Sequence, residues 1–292
     1  MKNSIMVFQM IIFIQQNMKY YTLLKKEVAP PYSIEPFVLS GYRPQMSYVN
    51  CLKSMFTLHN QTLNIWTSVL LIGFNMFLVI FFTNQSQIPF QFQLFFWSQG
   101  IIRSYCWINS WGFHTFVCNS KETAKLCLSM DYLGCYLTPL GIGTNILFIE
   151  FYCHVNYQIS FILCNALVIC FAIMVSNFPV YQTELYRPIR LLFSIASSLP
   201  SLIGLLFSIY IVHNGSTPKY YSYLLYAILF ELFACFFYVT MVPEIIYPFY
   251  FDIFMNSHSI WHWLNFGFDY MMMALTYHAY VELNESQRCL TS

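Results

Sequence analysis

Three histidines, one serine and one aspartate in this chain have the types and spacing of a reactive metal centre. Ser110 and His114 are four residues apart in Ser110-Trp111-Gly112-Phe113-His114, and His258 and His262 repeat that spacing in Ser257-His258-Ser259-Ile260-Trp261-His262. On a helix, residues four apart lie on one face, one turn above the other. Two imidazoles so placed can bind one metal. A third makes the set that suits zinc, with a fourth position left to water or substrate in a reactive site. Zinc lowers the pKa of its water to about 7. Asp131, seventeen residues after His114, could hold or deprotonate that water, and Ser110 could hydrogen-bond it or a substrate oxygen. Two blander readings stand beside this one. A membrane histidine can be a hydrogen-bonded packing residue, and a zinc ion can simply clamp helices together.

The elements that must position these groups are long and apolar. The chain has 292 residues, 58% of them hydrophobic, 20% aromatic and 9% charged. A soluble domain carries about 25% charged residues, so there are too few here to solvate a globular surface. The surface must face lipid. A net charge of +1 argues against a nucleic-acid partner, which needs a concentrated basic face. Ten cysteines show no CxxC spacing and read as small apolar packing residues, without a disulfide framework.

Residues 4–14 resemble the core of a signal peptide, too short to span and without a following small-residue cleavage site. Residues 1–44 read as a cytosolic N-terminal tail. Residues 45–61 read as an amphipathic helix on the membrane surface, with Val49, Leu52, Phe56 and His59 at helical spacing. Seven apolar runs follow, at about 62–83, 92–117, 127–149, 159–178, 188–212, 220–243 and 258–281, each near the ~20 residues that cross a bilayer core. The expected fold is therefore all-α and integral to the membrane. It is a bundle of seven transmembrane helices over 62–283, with a short tail at 284–292.

Lysines and arginines set the expected orientation. Lys2, Lys19, Lys25, Lys26, Arg43, Lys53, Lys121, Lys125, Arg187 and Arg190 fall on the N-terminal side, against Lys219 and Arg288 on the other. This places the N-terminus in the cytosol and the C-terminus outside. A G-protein-coupled receptor has the opposite orientation, and a retinal protein needs a lysine in the last span. The same topology brings Ser110, His114, Asp131, His258 and His262 to one cytosolic depth. Arg103 lies eleven residues outward of His114, and Asp269 eleven outward of His258. An unpaired charge at that depth is costly, so Arg103 is expected to pair with Asp269 or with Glu231.

These residues together resemble the progestin and adipoQ receptor family. The resemblance runs through Glu35-Pro36-Phe37, Gly41-Tyr42-Arg43, Ser54-Met55-Phe56 and His59-Asn60-Gln61-Thr62-Leu63-Asn64-Ile65-Trp66-Thr67. It continues in Ser110-x3-His114, Met130-Asp131-Tyr132-x-Gly134, Pro243-Glu244 and Ser257-His258-x3-His262, and covers roughly residues 35–282. It implies seven spans with a cytosolic N-terminus and zinc on His114, His258 and His262, with Asp131 and Ser110 close by. Gln61 stands where the family usually has glutamate, and Ser68 where it usually has histidine. Neither is a ligand position, and the expected effect is at the junction with the surface helix.

Three functions follow from the resemblance. One is a signalling receptor, in the plasma membrane or the Golgi, for a membrane lipid, a steroid or an adipokine-like extracellular protein. The second is a zinc-dependent hydrolase of ceramide-like lipid amides. The third is a Golgi scaffold that traps a cytosolic signalling kinase through the basic N-terminal region.

Overall fold

The computed structural model describes residues 23–85, 88–176, 178 and 186–286, so the reading of residues 4–14 lies outside the described residues. Among the described residues there are eight α-helices and no strand: α1 (Tyr48–Ser54), α2 (Thr62–Thr83), α3 (Phe90–Phe116), α4 (Lys121–Glu150), α5 (Val155–Ser176), α6 (Arg187–Ile211), α7 (Tyr221–Thr240) and α8 (Ser257–Ser286). Five of them, α2, α4, α5, α6 and α7, are long and apolar enough to cross a membrane. α3 and α8 have 27 and 30 residues, about 40 and 45 Å at 1.5 Å per residue. Their composition is more polar: they carry Arg103, His114, His258, His262 and Asp269 as well as several Gln, Asn and Ser residues.

Local chemistry sets several helix starts. Ser47 caps α1, accepting from the Asn50 N–H, and Ser120 caps α4, accepting from the Thr123 N–H at 3.1 Å. Such caps satisfy amides that have no intrahelical partner. α3 packs between α2 and α4, α8 packs on α2, α4 and α7, and α6 packs on α4 and α5. The approach of α3 to α4 is set by Gly134, where a Cβ would lie 2.8 Å from the Cys106 Cα. Any other residue there would push apart the two helices that carry Ser110, His114 and Asp131.

The segment before α1 is folded onto this end of the bundle. Leu24 and Tyr42 exchange backbone hydrogen bonds at 2.7 and 3.1 Å, and Ala29, Val38 and Tyr42 form a small buried cluster. Arg43 is 2% exposed. Its guanidinium donates to the carbonyls of His114 and Thr115 and to Ser54 Oγ. A cation at the C-terminal end of α3 satisfies carbonyls that the helix leaves open and complements its dipole. Val49, Leu52 and Phe56 face outward, as a surface helix requires, whereas His59 is fully buried.

Burial, and then the neighbouring Arg43 charge, hold the His59 imidazole well below its ordinary range. The unfolded chain therefore gains a proton below about pH 6.5 that the folded chain does not. Stability is present above that pH and falls as pH drops, at up to ~1.4 kcal/mol per pH unit from this residue. Thermal unfolding at pH 7.5, 6.5 and 5.5 should show the loss only below 6.5, with a flatter profile for His59→Gln. Parallel profiles for the two proteins would rule out this role.

Cys153 is disulfide-bonded, which corrects the expectation that the ten cysteines are packing residues without a disulfide. Its position explains the difference, since it follows the end of α4 and lies outside the apolar stretch. At the opposite end of the bundle, Cys51 and Cys118 are free thiols with their sulfurs 3.6 Å apart.

Candidate metal centre

The first turns of α8 and the last turns of α3 meet at the end of the bundle covered by residues 24–43. There His114, His258 and His262 each offer a ring nitrogen, all within 4.8 Å of one another. His114 and His262 are 2% and 1% exposed. Nε2 of His114 and Nε2 of His258 are 3.1 Å apart. Tetrahedral zinc, with bonds of about 2.0–2.1 Å, would place neighbouring donors roughly 3.3 Å apart. The His114–His258 separation is close to that value.

The surrounding hydrogen bonds decide which ring nitrogens face the centre. Gln61 Nε2 donates to the Glu35 carboxylate, so its carbonyl oxygen is the atom turned toward His114 Nδ1 at 2.7 Å. His114 Nδ1 therefore carries the proton, and its Nε2 lone pair points inward. Thr67 Oγ1 spends its own hydrogen on the Leu63 carbonyl at 2.6 Å and so accepts from His262 Nδ1 at 2.8 Å. Ser68 Oγ, whose hydrogen goes to the Asn64 carbonyl, lies 3.4 Å from the same nitrogen. Two of the three imidazoles are thus fixed by hydrogen bonds in the tautomer a divalent metal needs. Three imidazole donors suit a divalent metal of the zinc type.

Both departures from the family pattern, Gln61 and Ser68, turn out to touch the candidate ligands. Neither is itself a ligand, but both orient one, as do Glu35 and Thr67. Sequence reasoning missed these roles, although Glu35, Gln61 and Thr67 were all within the quoted motifs. Gln61→Leu removes the acceptor for His114 Nδ1 and is expected to weaken metal binding at the three histidines by about 10- to 100-fold. Competition against a chromophoric chelator would measure this, and an unchanged affinity would dismiss the role.

Ser110 is buried, its Oγ 3.3 Å from Ser68 Oγ, one turn deeper than His114. Asp131 lies on the wall of the same cavity. It is outside the three-histidine group, and among the described residues its carboxylate has no hydrogen-bond partner. The cavity has a volume of about 760 Å³ and runs from the histidines between α6 and α7, past Ser194, Leu202, Leu224 and Ile228. α6 packs on α4 and α5, and α7 packs on α8, so the cavity separates two helices that are consecutive in the chain.

Deeper still, Arg103 Nε donates to Asp269 Oδ1 at 2.5 Å, Nη2 to Asn265 at 2.9 Å and Nη1 to Thr138 at 3.3 Å. Asn75 and Trp107 donate to the second aspartate oxygen. Of the two expected partners Arg103 takes Asp269. Glu231 accepts instead from the Cys235 thiol, one helical turn along α7.

Residues 56–273 match the haemolysin-III-related family, a stretch that contains all three histidines, Ser110, Asp131 and the Arg103–Asp269 pair. Over 251 residues the chain is 28% identical to progestin and adipoQ receptor-like protein 1 of Caenorhabditis elegans, covering 83% of this chain and 57% of that protein. It is 26% identical over 275 residues to progestin and adipoQ receptor family member 3 of Mus musculus, covering 86% and 83% respectively. It is 27% identical over 241 residues to the adiponectin receptor protein of Drosophila melanogaster, covering 77% and 52%. The chain thus spans little more than half the length of the worm and fly relatives.

Proposed function

Because this chain belongs to the haemolysin-III-related family, we propose that it is a seven-span membrane receptor of the progestin and adipoQ receptor type. Its ligand is an amphiphile, a lipid or a steroid, taken into the cavity beside a zinc centre formed by His114, His258 and His262. The buried convergence of those three imidazoles on one point carries the reading.

In this reading α3 and α8 complete the seven spans, their polar groups turned toward one another rather than toward lipid. The histidine end lies in the cytosol. The lysine and arginine bias supports that side, and so does the cysteine chemistry. Free thiols persist in reducing compartments and disulfides in oxidising ones. Cys51 and Cys118 are free at the histidine end, and Cys153 is disulfide-bonded at the other. The membrane is the plasma membrane or the Golgi.

A second reading, hydrolysis of a ceramide-like amide, is favoured by Asp131, whose carboxylate faces the cavity without a partner among the described residues. Zinc, when bound, supplies Lewis acidity toward a carbonyl and acidifies water. Asp131 would take and relay the proton, Ser110 would hydrogen-bond the substrate oxygen, and the apolar cavity would hold the acyl chain and exclude bulk water. Mass spectrometry of lipid that co-purifies with the protein tests the ligand class, and a protein that carries no amphiphile would reject it. Turnover of a lipid amide, abolished in Asp131→Asn with zinc retained, is the result expected of the enzyme. Turnover that survives Asp131→Asn would take that role from Asp131.

A further inference from the structure

Between α7 and α8 the chain runs from Met241 to Asn256 through irregular turns, and its polarity is inverted for a loop in water. Its only charged residues, Glu244 and Asp252, are 5% and 1% exposed. Glu244 accepts from the N–H and hydroxyl of Ser257, at the start of α8. Asp252 accepts from Ser40 Oγ at 2.7 Å. What faces outward is apolar or aromatic: Ile246 and Tyr247 at 58%, Phe249 at 60% and Tyr250 at 82%.

We infer that this connection is a membrane-interface anchor that beds in the phospholipid leaflet at the histidine end of the bundle. Three observations favour lipid over a protein partner. The outward face of α7, with Leu232, Phe236 and Val239 exposed, runs directly into the loop, so the loop's apolar surface continues the lipid-facing belt. α1, at the same end, also turns Tyr48, Val49 and Leu52 outward, with Phe56 exposed in the turn just after it, which gives a second apolar element at one level. The outward groups include tyrosines, which settle where one end of the ring is apolar and the other wet. The irregular backbone sets the depth. Lipid-exposed turns are not tolerated in hydrocarbon, so the loop lies at the headgroup boundary with its side chains reaching inward.

The test places the photocrosslinking residue p-benzoylphenylalanine at Tyr250, and separately at Ile246, in the full chain reconstituted in phosphatidylcholine nanodiscs. Leu232 on α7 serves as the lipid-facing reference and Ser216, exposed in the α6–α7 turn, as the water-facing one. After illumination, mass spectrometry should find phospholipid adducts at 246 and 250 as at 232, and none at 216. A lipid adduct at 232 with none at 246 or 250 overturns the anchor. So does crosslinking of 246 or 250 to a second copy of the chain in place of lipid, which would make the face a protein interface.

Discussion

Replacing His258 and His262 together by alanine is expected to take zinc from about one ion per chain to an undetectable level, since a three-histidine site then keeps a single ligand. The loss should also reach stability. The three imidazoles bridge α3 and α8, so an ion bound there stabilises the folded bundle against any state in which those helices separate. At a free metal concentration a thousandfold above the dissociation constant, that linkage is worth about 4 kcal/mol. The wild-type thermal midpoint should therefore fall when a chelator removes the ion, and the double variant should not respond to the chelator. Elemental analysis and unfolding scans on the same preparations measure both effects. Stoichiometric zinc in the double variant would end the assignment of this site. Zinc lost without any change in the chelator response would show that the ion does not clamp the helices.

Arg103→Met is expected to cost ~3–5 kcal/mol, the range for removing one partner of a buried ion pair. The pair joins α3 to α8, with side chains 5% and 0% exposed, and its environment raises the stakes. Asp269 would keep Asn75 and Trp107 as donors but lose the cation opposite it. Asn265 would lose the guanidinium that its side-chain oxygen accepts from. Arg103→Met combined with Asp269→Leu should cost less than the sum of the two single changes, since neither variant group then needs a partner. Unfolding in nanodiscs across the four proteins of the cycle measures the coupling. A single-variant cost under ~1 kcal/mol, typical of an exposed pair, would mean that water reaches the network.

The helices and the i,i+4 pairs within them were legible for the same physical reason: both depend on periodicity along one segment. Apolar length marks the spans, spacing of four places two groups on one helix face, and the equal offsets of Arg103 and Asp269 from the histidines put them at one depth. The partners that hold the ligands were not legible. Gln61 meets His114 and Glu35 across 53 and 26 residues, and Thr67 meets His262 across 195. Nothing in the local sequence around an amide or a hydroxyl says which distant imidazole it will orient. Arg43 is harder still, because it binds backbone carbonyls, which carry no residue-type signal. Glu231 was as good a candidate partner for Arg103 as Asp269 by depth, and only the packing of α8 against α3 and α4 distinguishes them.

The gap between α6 and α7 bears on how any ligand of this protein would be dosed. A hydrophobic molecule that enters between those helices arrives from the bilayer, where it has already partitioned, and its activity is a mole fraction among lipids rather than a molarity in water. Two membranes of different composition would then give the same protein different occupancies at one total ligand concentration. Dissociation constants for the cavity therefore acquire meaning only when titrated against lipid content.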